Sequence, residues 1–254
     1  MARRTVLVTG AAAGIGRAVA RRFASDGWLV GAYDVDVAGL DSLAEELGES
    51  VVVGALDVRD QEAWRSALTD LTTESDGRLD VLVNNAGILR SGQFADIPLE
   101  AQQLIVDVNV KGVLNGCHTA FAHLGRGSAV VNLCSASAIY GQAELATYSA
   151  SKFAVRGLTE ALELEWAAHG IRVRALWPLF VDTAMTKDMD IASSRSLGIR
   201  LTADDVAEAV LAATRPGGHA VHRAVGRQAA LMLASSQVSP SWALRLANKR
   251  INKA

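Results

Sequence analysis

The chain opens on a run that few folds can accommodate. Thr5-Val6-Leu7-Val8-Thr9 is an apolar and largely β-branched run, without the alternation of a strand that faces water on one side. It breaks at Gly10-Ala11-Ala12-Ala13-Gly14-Ile15-Gly16 and resumes as a helical pattern through Phe23. A strand buried on both faces needs cover above and below, and strand–turn–helix units provide it. The glycines allow a tight turn and a close approach to the main chain, while free amides at the helix start favour negative charge. Gly10, Gly14, Ile15 and Gly16 are therefore candidate contacts for a pyrophosphate. No Gly-Lys-Ser/Thr follows, which excludes a triphosphate-binding loop.

The unit repeats along the chain. A second strand, Leu29 to Tyr33, ends at Asp34, and a third, Val51 to Leu56, ends at Asp57-Val58. Val81-Leu82-Val83 runs into Asn84-Asn85-Ala86-Gly87, small residues suited to a close-packed turn. One long helix is expected from about Pro98 to Leu124, with Asn109 inside it, where asparagine disfavours helix. Ala129 to Leu133 forms a fifth strand ending at Cys134-Ser135, and a helix bearing Tyr148 and Lys152 continues to about His169. Ile171 to Trp177 is a sixth strand, stopped by Pro178. Residues 182–200 are polar and weakly patterned, the look of a substrate loop or lid. A helix over Ala203 to Ala213, a strand over His219 to Val225 and a helical segment over 227–254, interrupted at Pro240, complete the chain. With no linker and no shift of composition, 1–254 reads as one α/β domain. Its architecture is a doubly wound parallel sheet, a three-layer Rossmann fold.

A formal net charge of −2 gives no reason to expect nucleic acid or an acidic membrane as partner. The two cysteines make no disulfide framework, no Cys/His spacing fits zinc, and His219 with His222 reads as a solvated or satisfied pair, so no metal is expected. No apolar run approaches a membrane span, and the expectation is a cytoplasmic protein.

Chemistry concentrates between Ser135 and Lys152. Tyr148 and Lys152 lie four apart on a helix and share a face, and an ammonium beside a phenol favours the phenolate. Ser135 stands at a strand tip, where open α/β sheets bind ligands. Asp34, eighteen residues after Gly16, can accept both ribose hydroxyls of an adenosine and repels a 2′-phosphate. Neither Ala13 nor Val35 is cationic, so NAD(H) is favoured over NADP(H). Asp34 could equally cap the next helix. Cys134 sits in an apolar run with no histidine beside it and reads as a small buried hydrophobe, and Ser135 lacks the G-x-S-x-G elbow of a hydrolase.

Together these pieces resemble the short-chain dehydrogenase/reductase family, in its short single-domain branch, from Thr9 to about Thr183. The cofactor loop Thr9 to Gly16, Asp57, the Asn84-Asn85-Ala86-Gly87 signature and the set Asn109, Ser135, Tyr148 and Lys152 carry the resemblance. It implies that Tyr148 is the acid–base group and that Lys152 lowers its pKa and binds the nicotinamide ribose. It also implies that Ser135 holds the substrate oxygen and that Asn109 holds a water leading to solvent. Asp57, Val58, Asn85, Ala86, Gly87, Pro178, Val181 and Thr183 join the glycine loop as expected cofactor contacts. One departure stands out: Leu179 follows Pro178 where the family usually has glycine.

The expected reaction is hydride transfer between NAD(H) and a hydrophobic secondary alcohol or ketone. Ile139, Tyr140, Leu145, Leu179, Phe180 and Met185 are the expected apolar pocket. An NADP(H)-dependent carbonyl or 3-ketoacyl reductase is the alternative enzyme, and a non-catalytic dinucleotide sensor the alternative of another class. The resemblance further implies a homo-oligomer, a dimer or tetramer built through the long helices.

Overall fold

The computed structural model describes residues 3–73, 75–187, 191–217 and 220–252. Seven strands form one sheet: β1 (Thr5–Thr9), β2 (Leu29–Asp34), β3 (Val51–Ala55), β4 (Leu79–Asn84), β5 (Leu124–Leu133), β6 (Arg172–Pro178) and β7 (His222–Val225). All pairings are parallel, in the order β3-β2-β1-β4-β5-β6-β7. The order reverses between β1 and β4, so the connections leave in opposite directions there and open a crevice at the strand tips.

Alternation along each strand divides the core. Val6, Val8, Val30, Val83 and Val131 face one side, where α1 (Gly14–Ser25) and α2 (Val37–Leu47) bring Val19, Phe23, Leu40 and Leu43. Leu7, Leu82, Val130 and Val173 face the other. There α3 (Gln61–Thr73) contributes Trp64 and Leu68. Further along the chain come α4 (Leu99–Val106), α5 (Gly112–Ala120) and α6 (Ala146–Trp166), and α6 brings Val155 and Trp166 to that second core. Successive strand residues thus serve opposite cores, which is why β1 reads as one unbroken apolar run.

The single helix expected from Pro98 to Leu124 is broken in two. Between α4 and α5 the backbone widens into a π-turn over Asp107–Lys111, and Asn109 is at its centre, fully buried. Its side chain takes over backbone partners outside the helix, which offsets the poorer helix geometry. A short 3₁₀ turn, Phe121–His123, then leads into β5, which begins at Leu124 rather than Ala129.

The described residues of the 182–200 stretch carry more regular structure than its composition implies. It contains α7 (Ala184–Lys187) and α8 (Ala192–Leu197), with residues 188–190 outside the described set. Ile191, Leu145 and Phe180 form a small apolar cluster that seats α8 beside the strand tips. After α9 (Ala203–Thr214) and β7, the chain closes with α10 (Arg227–Val238) and α11 (Ser241–Ile251), separated at Pro240 as expected. His219 lies outside the described residues; His222 bonds Glu160 through Nε2, Nε2 to Oε1 2.7 Å. Among the described residues no helix is long and apolar enough to cross a membrane, and no cluster of His, Cys, Asp and Glu could hold a metal ion.

Candidate active site

A cavity of about 520 Å³ opens at the crevice between β1 and β4. Its first end is the glycine turn. Gly10 and Gly14 have φ of +68° and +53°, backbone conformations that L side chains rarely adopt. A Cβ on Gly10 would stand 2.8 Å from Asn85 Nδ2, so the loop after β4 closes directly on the turn. Asn85 Nδ2 donates to the Thr9 and Gly10 carbonyls (2.8 and 3.2 Å), and Thr9 Oγ1 accepts from the Asn85 and Ala86 amides. These bonds tie the two diverging strand tips together.

Ala13, the N-cap of α1, has no side-chain cap, so the first amides of the helix have neither an intrahelical partner nor a capping group. Gly10, Ala13, Gly14 and Ile15 line the cavity here. The residues suit a dinucleotide pyrophosphate: a bare helix start, small side chains and free donors. Gly16, an expected contact, does not line the cavity. A Cβ there would lie 1.9 Å from the Gly10 carbonyl oxygen, so this glycine serves the packing of helix against turn.

Asp34 ends β2 and lines the same cavity. Its Oδ2 accepts from the Ala12 amide (3.0 Å) and its Oδ1 from the Asp36 amide (3.1 Å), so the carboxylate braces the glycine turn. The helix cap of α2 is Asp36, whose side chain accepts from the Gly39 amide. Arg17, one turn into α1, bonds the Ala12 and Gly39 carbonyls, Ser42 and Glu46, and does not line the cavity. Asp57 and Val58 do line it. So does Arg59, which sequence reading missed; its guanidinium grips Asp57 (Nε to Oδ1 2.9 Å) and holds that carboxyl below its usual range.

At the far end Ser135, Tyr148 and Lys152 meet, with Asn85, Ala86, Gly87, Pro178, Val181 and Thr183 around them. Lys152 is buried, donates from Nζ to the Leu133 carbonyl (2.8 Å) and stands 5.5 Å from the centre of the Tyr148 ring. Burial pushes its pKa down. Burial also pushes the Tyr148 phenol up to about 12, although the neighbouring Ser135 side chain acts the other way. Burial is the largest influence on this phenol, and the Lys152 ammonium beside it is itself buried and turned to a carbonyl.

Asn109 is close by but does not line the cavity. Its Oδ1 accepts from the Ile88 amide (2.8 Å), and its Nδ2 donates to the Ile88 carbonyl (2.9 Å) and Ser151 Oγ (3.1 Å). The side chain therefore clamps the loop after β4 and has no N–H left to hold the expected water. Gly87 fits between them: a Cβ there would lie 3.2 Å from Asn109 Oδ1 and 3.7 Å from Lys152 Nζ.

Of the expected apolar wall, Leu145, Leu179, Phe180 and Met185 line the cavity, joined by Ile88 and Leu89. Ile139 packs against the second core instead, and neither it nor Tyr140 is part of the lining. Outside glycine, the described residues with positive φ are Asp76 and Glu144, so Leu179 occupies the usual glycine position without a glycine conformation. Cys134 is buried, with its thiol pushed up to about 11, as suits an inert side chain.

A family model described as short chain dehydrogenase matches residues 4–193. The chain belongs to the short-chain dehydrogenase family. Relatives within it differ in substrate. The chain is 37% identical over 188 residues to 3-oxoacyl-(acyl-carrier-protein) reductase of Thermotoga maritima, covering 72% of this chain and 76% of the relative. It is 36% identical over 208 residues to L-2,3-butanediol dehydrogenase of Corynebacterium glutamicum, covering 77% and 78%. A crystal structure of 3-ketoacyl-(acyl-carrier-protein) reductase from Brucella melitensis complexed with NADH superposes with a TM-score of 0.80 at 30% identity, covering 87% of this chain and 96% of that one. This short-chain dehydrogenase is therefore an oxidoreductase of the alcohol–ketone kind, and the family's cofactor is a nicotinamide dinucleotide.

Proposed function

We propose that the chain transfers a hydride between NAD(H) and an apolar secondary alcohol or ketone, with Tyr148 as the acid–base group. The observation that carries this reading is one continuous cavity, running from the bare start of α1 and Asp34 to Ser135, Tyr148 and an apolar wall.

Gly10, Gly14 and Ile15 would hold the pyrophosphate, Asp34 the adenosine ribose, and Asp57 with Val58 the adenine. Asn85, Ala86, Gly87, Lys152, Pro178, Val181 and Thr183 would hold the nicotinamide half. When bound, the nicotinamide gives or accepts the hydride. Ser135, whose hydroxyl donates to Ser137 Oγ (3.2 Å), would turn that hydrogen onto the substrate oxygen as negative charge develops there. Tyr148, a phenol protonated at neutral pH, delivers its proton from the phenol oxygen to that same atom. In this state the pair is set for reduction of a ketone. Lys152 contributes its charge beside the phenol, and Asn109 positions the Ile88 loop and Ser151.

NAD(H) is favoured because Asp34 presents a carboxylate at the ribose end while Arg17 is engaged elsewhere. The 182–200 stretch would act as a lid, and association with further copies is supported by exposed Val106, Leu114, Phe153 and Leu164 on α4, α5 and α6. A second reading, an NADP(H)-dependent 3-ketoacyl reductase, is favoured by the likeness to the Thermotoga maritima enzyme. Absorbance at the NADH band, with apolar secondary alcohols, a polyol and either NAD⁺ or NADP⁺, separates them. NADH formed from apolar alcohols, with little NADPH, is expected. NADPH formation would promote the ketoacyl reading, and turnover of the polyol alone would refute the apolar substrate.

A further inference from the structure

Gln142 is 3% exposed, yet it lines the cavity beside Ser135. Ser135 Oγ donates to Ser137 Oγ (3.2 Å), and Ser137 Oγ donates onward to Gln142 Oε1 (3.3 Å). The Ser137 amide returns a bond to Ser135 Oγ (3.1 Å), and the Gln142 amide is fixed by Ser149 Oγ (3.2 Å). The glutamine is therefore held at both its backbone and its side-chain oxygen. Among the described residues nothing accepts from its Nε2, which carries two donor hydrogens. The nitrogen is not sealed in the core either, so its donors face the cavity. A buried amide held rigidly with free donors is unusual in a folded chain, and it points to an acceptor that arrives with a ligand.

The walls around it are apolar: Leu89, Leu145, Leu179, Phe180 and Met185. A ligand with one oxygen, placed on Ser135 and Tyr148, would leave the Gln142 donors unpaired. A ligand with two oxygens would satisfy both ends of the serine–serine–glutamine chain. Ser135 Oγ and Gln142 Oε1 are joined through Ser137 by hydrogen bonds of 3.2 and 3.3 Å, so the donors of both residues lie within reach of one small ligand. These wall residues carry no charge, and the Lys152 ammonium is turned to the Leu133 carbonyl, so the second oxygen is uncharged.

We infer that Gln142 is a specificity-determining residue. It selects ketones carrying a second, uncharged hydroxyl or carbonyl oxygen one or two carbons from the reacting centre. The inference rests on the carbonyl reductase reading above and narrows its substrate class. Sites built to bond a substrate oxygen reject the analogue that lacks it, because the buried donors are then stranded.

The test compares cyclohexanone with 2-hydroxycyclohexanone, following NADH oxidation by the full chain, by Gln142→Met and by Gln142→Glu. Methionine keeps the length and bulk; glutamate keeps the acceptor for Ser137 but has no amide donors. NADH titration and thermal melts show that each variant is folded. In the native chain the hydroxyketone is expected to exceed cyclohexanone in kcat/KM by about tenfold or more, and each variant to lower that ratio by about tenfold, through KM more than kcat. Equal kcat/KM for both ketones in all three proteins would overturn the inference and leave the reductase reading intact. A preference that survives in Gln142→Met would overturn it too. If no ketone oxidises NADH, the reductase reading falls and this inference with it.

Discussion

Gly16→Ala tests how the glycine turn is built. The new Cβ would sit 1.9 Å from the Gly10 carbonyl oxygen and 2.7 Å from Asn85 Nδ2, against an ordinary contact of 3.4 Å or more. The larger overlap is with backbone, so no rotamer change relieves it, and the turn must shift by more than an ångström. Overpacking of this kind costs about 1–3 kcal/mol. Asn85 Nδ2 also holds the Thr9 and Gly10 carbonyls, and each such bond is worth about 0.5–1.5 kcal/mol. Together the loss is about 2–6 kcal/mol, which for a chain of this size lowers Tm by roughly 4–24 °C. Gly157→Ala is the control: Gly157 is exposed on α6 with nothing within 4 Å of the new methyl, and alanine there should stabilise by about 0.5–1 kcal/mol. Circular-dichroism melts of the two variants should move in opposite directions. Because Gly16 does not line the cavity, weaker NADH binding in Gly16→Ala would arise from the displaced turn. A Gly16→Ala melt within about 2 °C of the native chain would refute this reasoning.

Asp34→Ala should weaken binding of both coenzymes, since the carboxylate braces the glycine turn, and should narrow the preference for NAD(H) by on the order of 10²-fold, the scale of one charge pair about 5 Å apart. An unchanged coenzyme ratio would leave the carboxylate as a brace alone. Alkaline titration gives a second check. All three tyrosines, Tyr33, Tyr140 and Tyr148, are pushed above the ordinary phenol value by burial. A raised folded pKa means that the unfolded chain binds fewer protons between about pH 10 and 12, so this contribution to stability is intact below about pH 10 and is lost as pH climbs through that window. The tyrosinate band of the folded, cofactor-free protein should stay silent until about pH 11. A phenol ionising near pH 9 would show that Lys152 outweighs burial after all.

What could be read without coordinates was what is local. Thr5 to Gly16 announces itself because burial on both faces demands an unbroken apolar run and the turn demands glycine. Tyr148 and Lys152 are one helical turn apart, so spacing alone puts them on one face. Contacts across the chain were less legible. Nothing near Gly16 reveals that its neighbour is the Gly10 carbonyl, so a packing glycine looked like a cofactor contact. The π-turn at Asn109 depends on the distant Ile88 backbone, and its side chain is occupied there. Composition made 182–200 look unstructured because α7 and α8 are short, and α8 is seated by Leu145 and Phe180 rather than by its own pattern. Ser137 and Gln142 had no signature, since their role emerges only once both bend back toward Ser135. Spacing likewise reports the charge of Lys152 near Tyr148 but not the burial of the two groups.

The central claim is that Tyr148 moves the proton, and Tyr148→Phe tests it most directly. The phenyl ring keeps the packing and removes only the hydroxyl. NADH affinity should stay within about threefold of the native value, while kcat/KM for a ketone reduced by the native chain should fall by about 10²–10⁴-fold, the usual worth of a general acid. Retention of native turnover by a variant that still binds NADH would contradict the account.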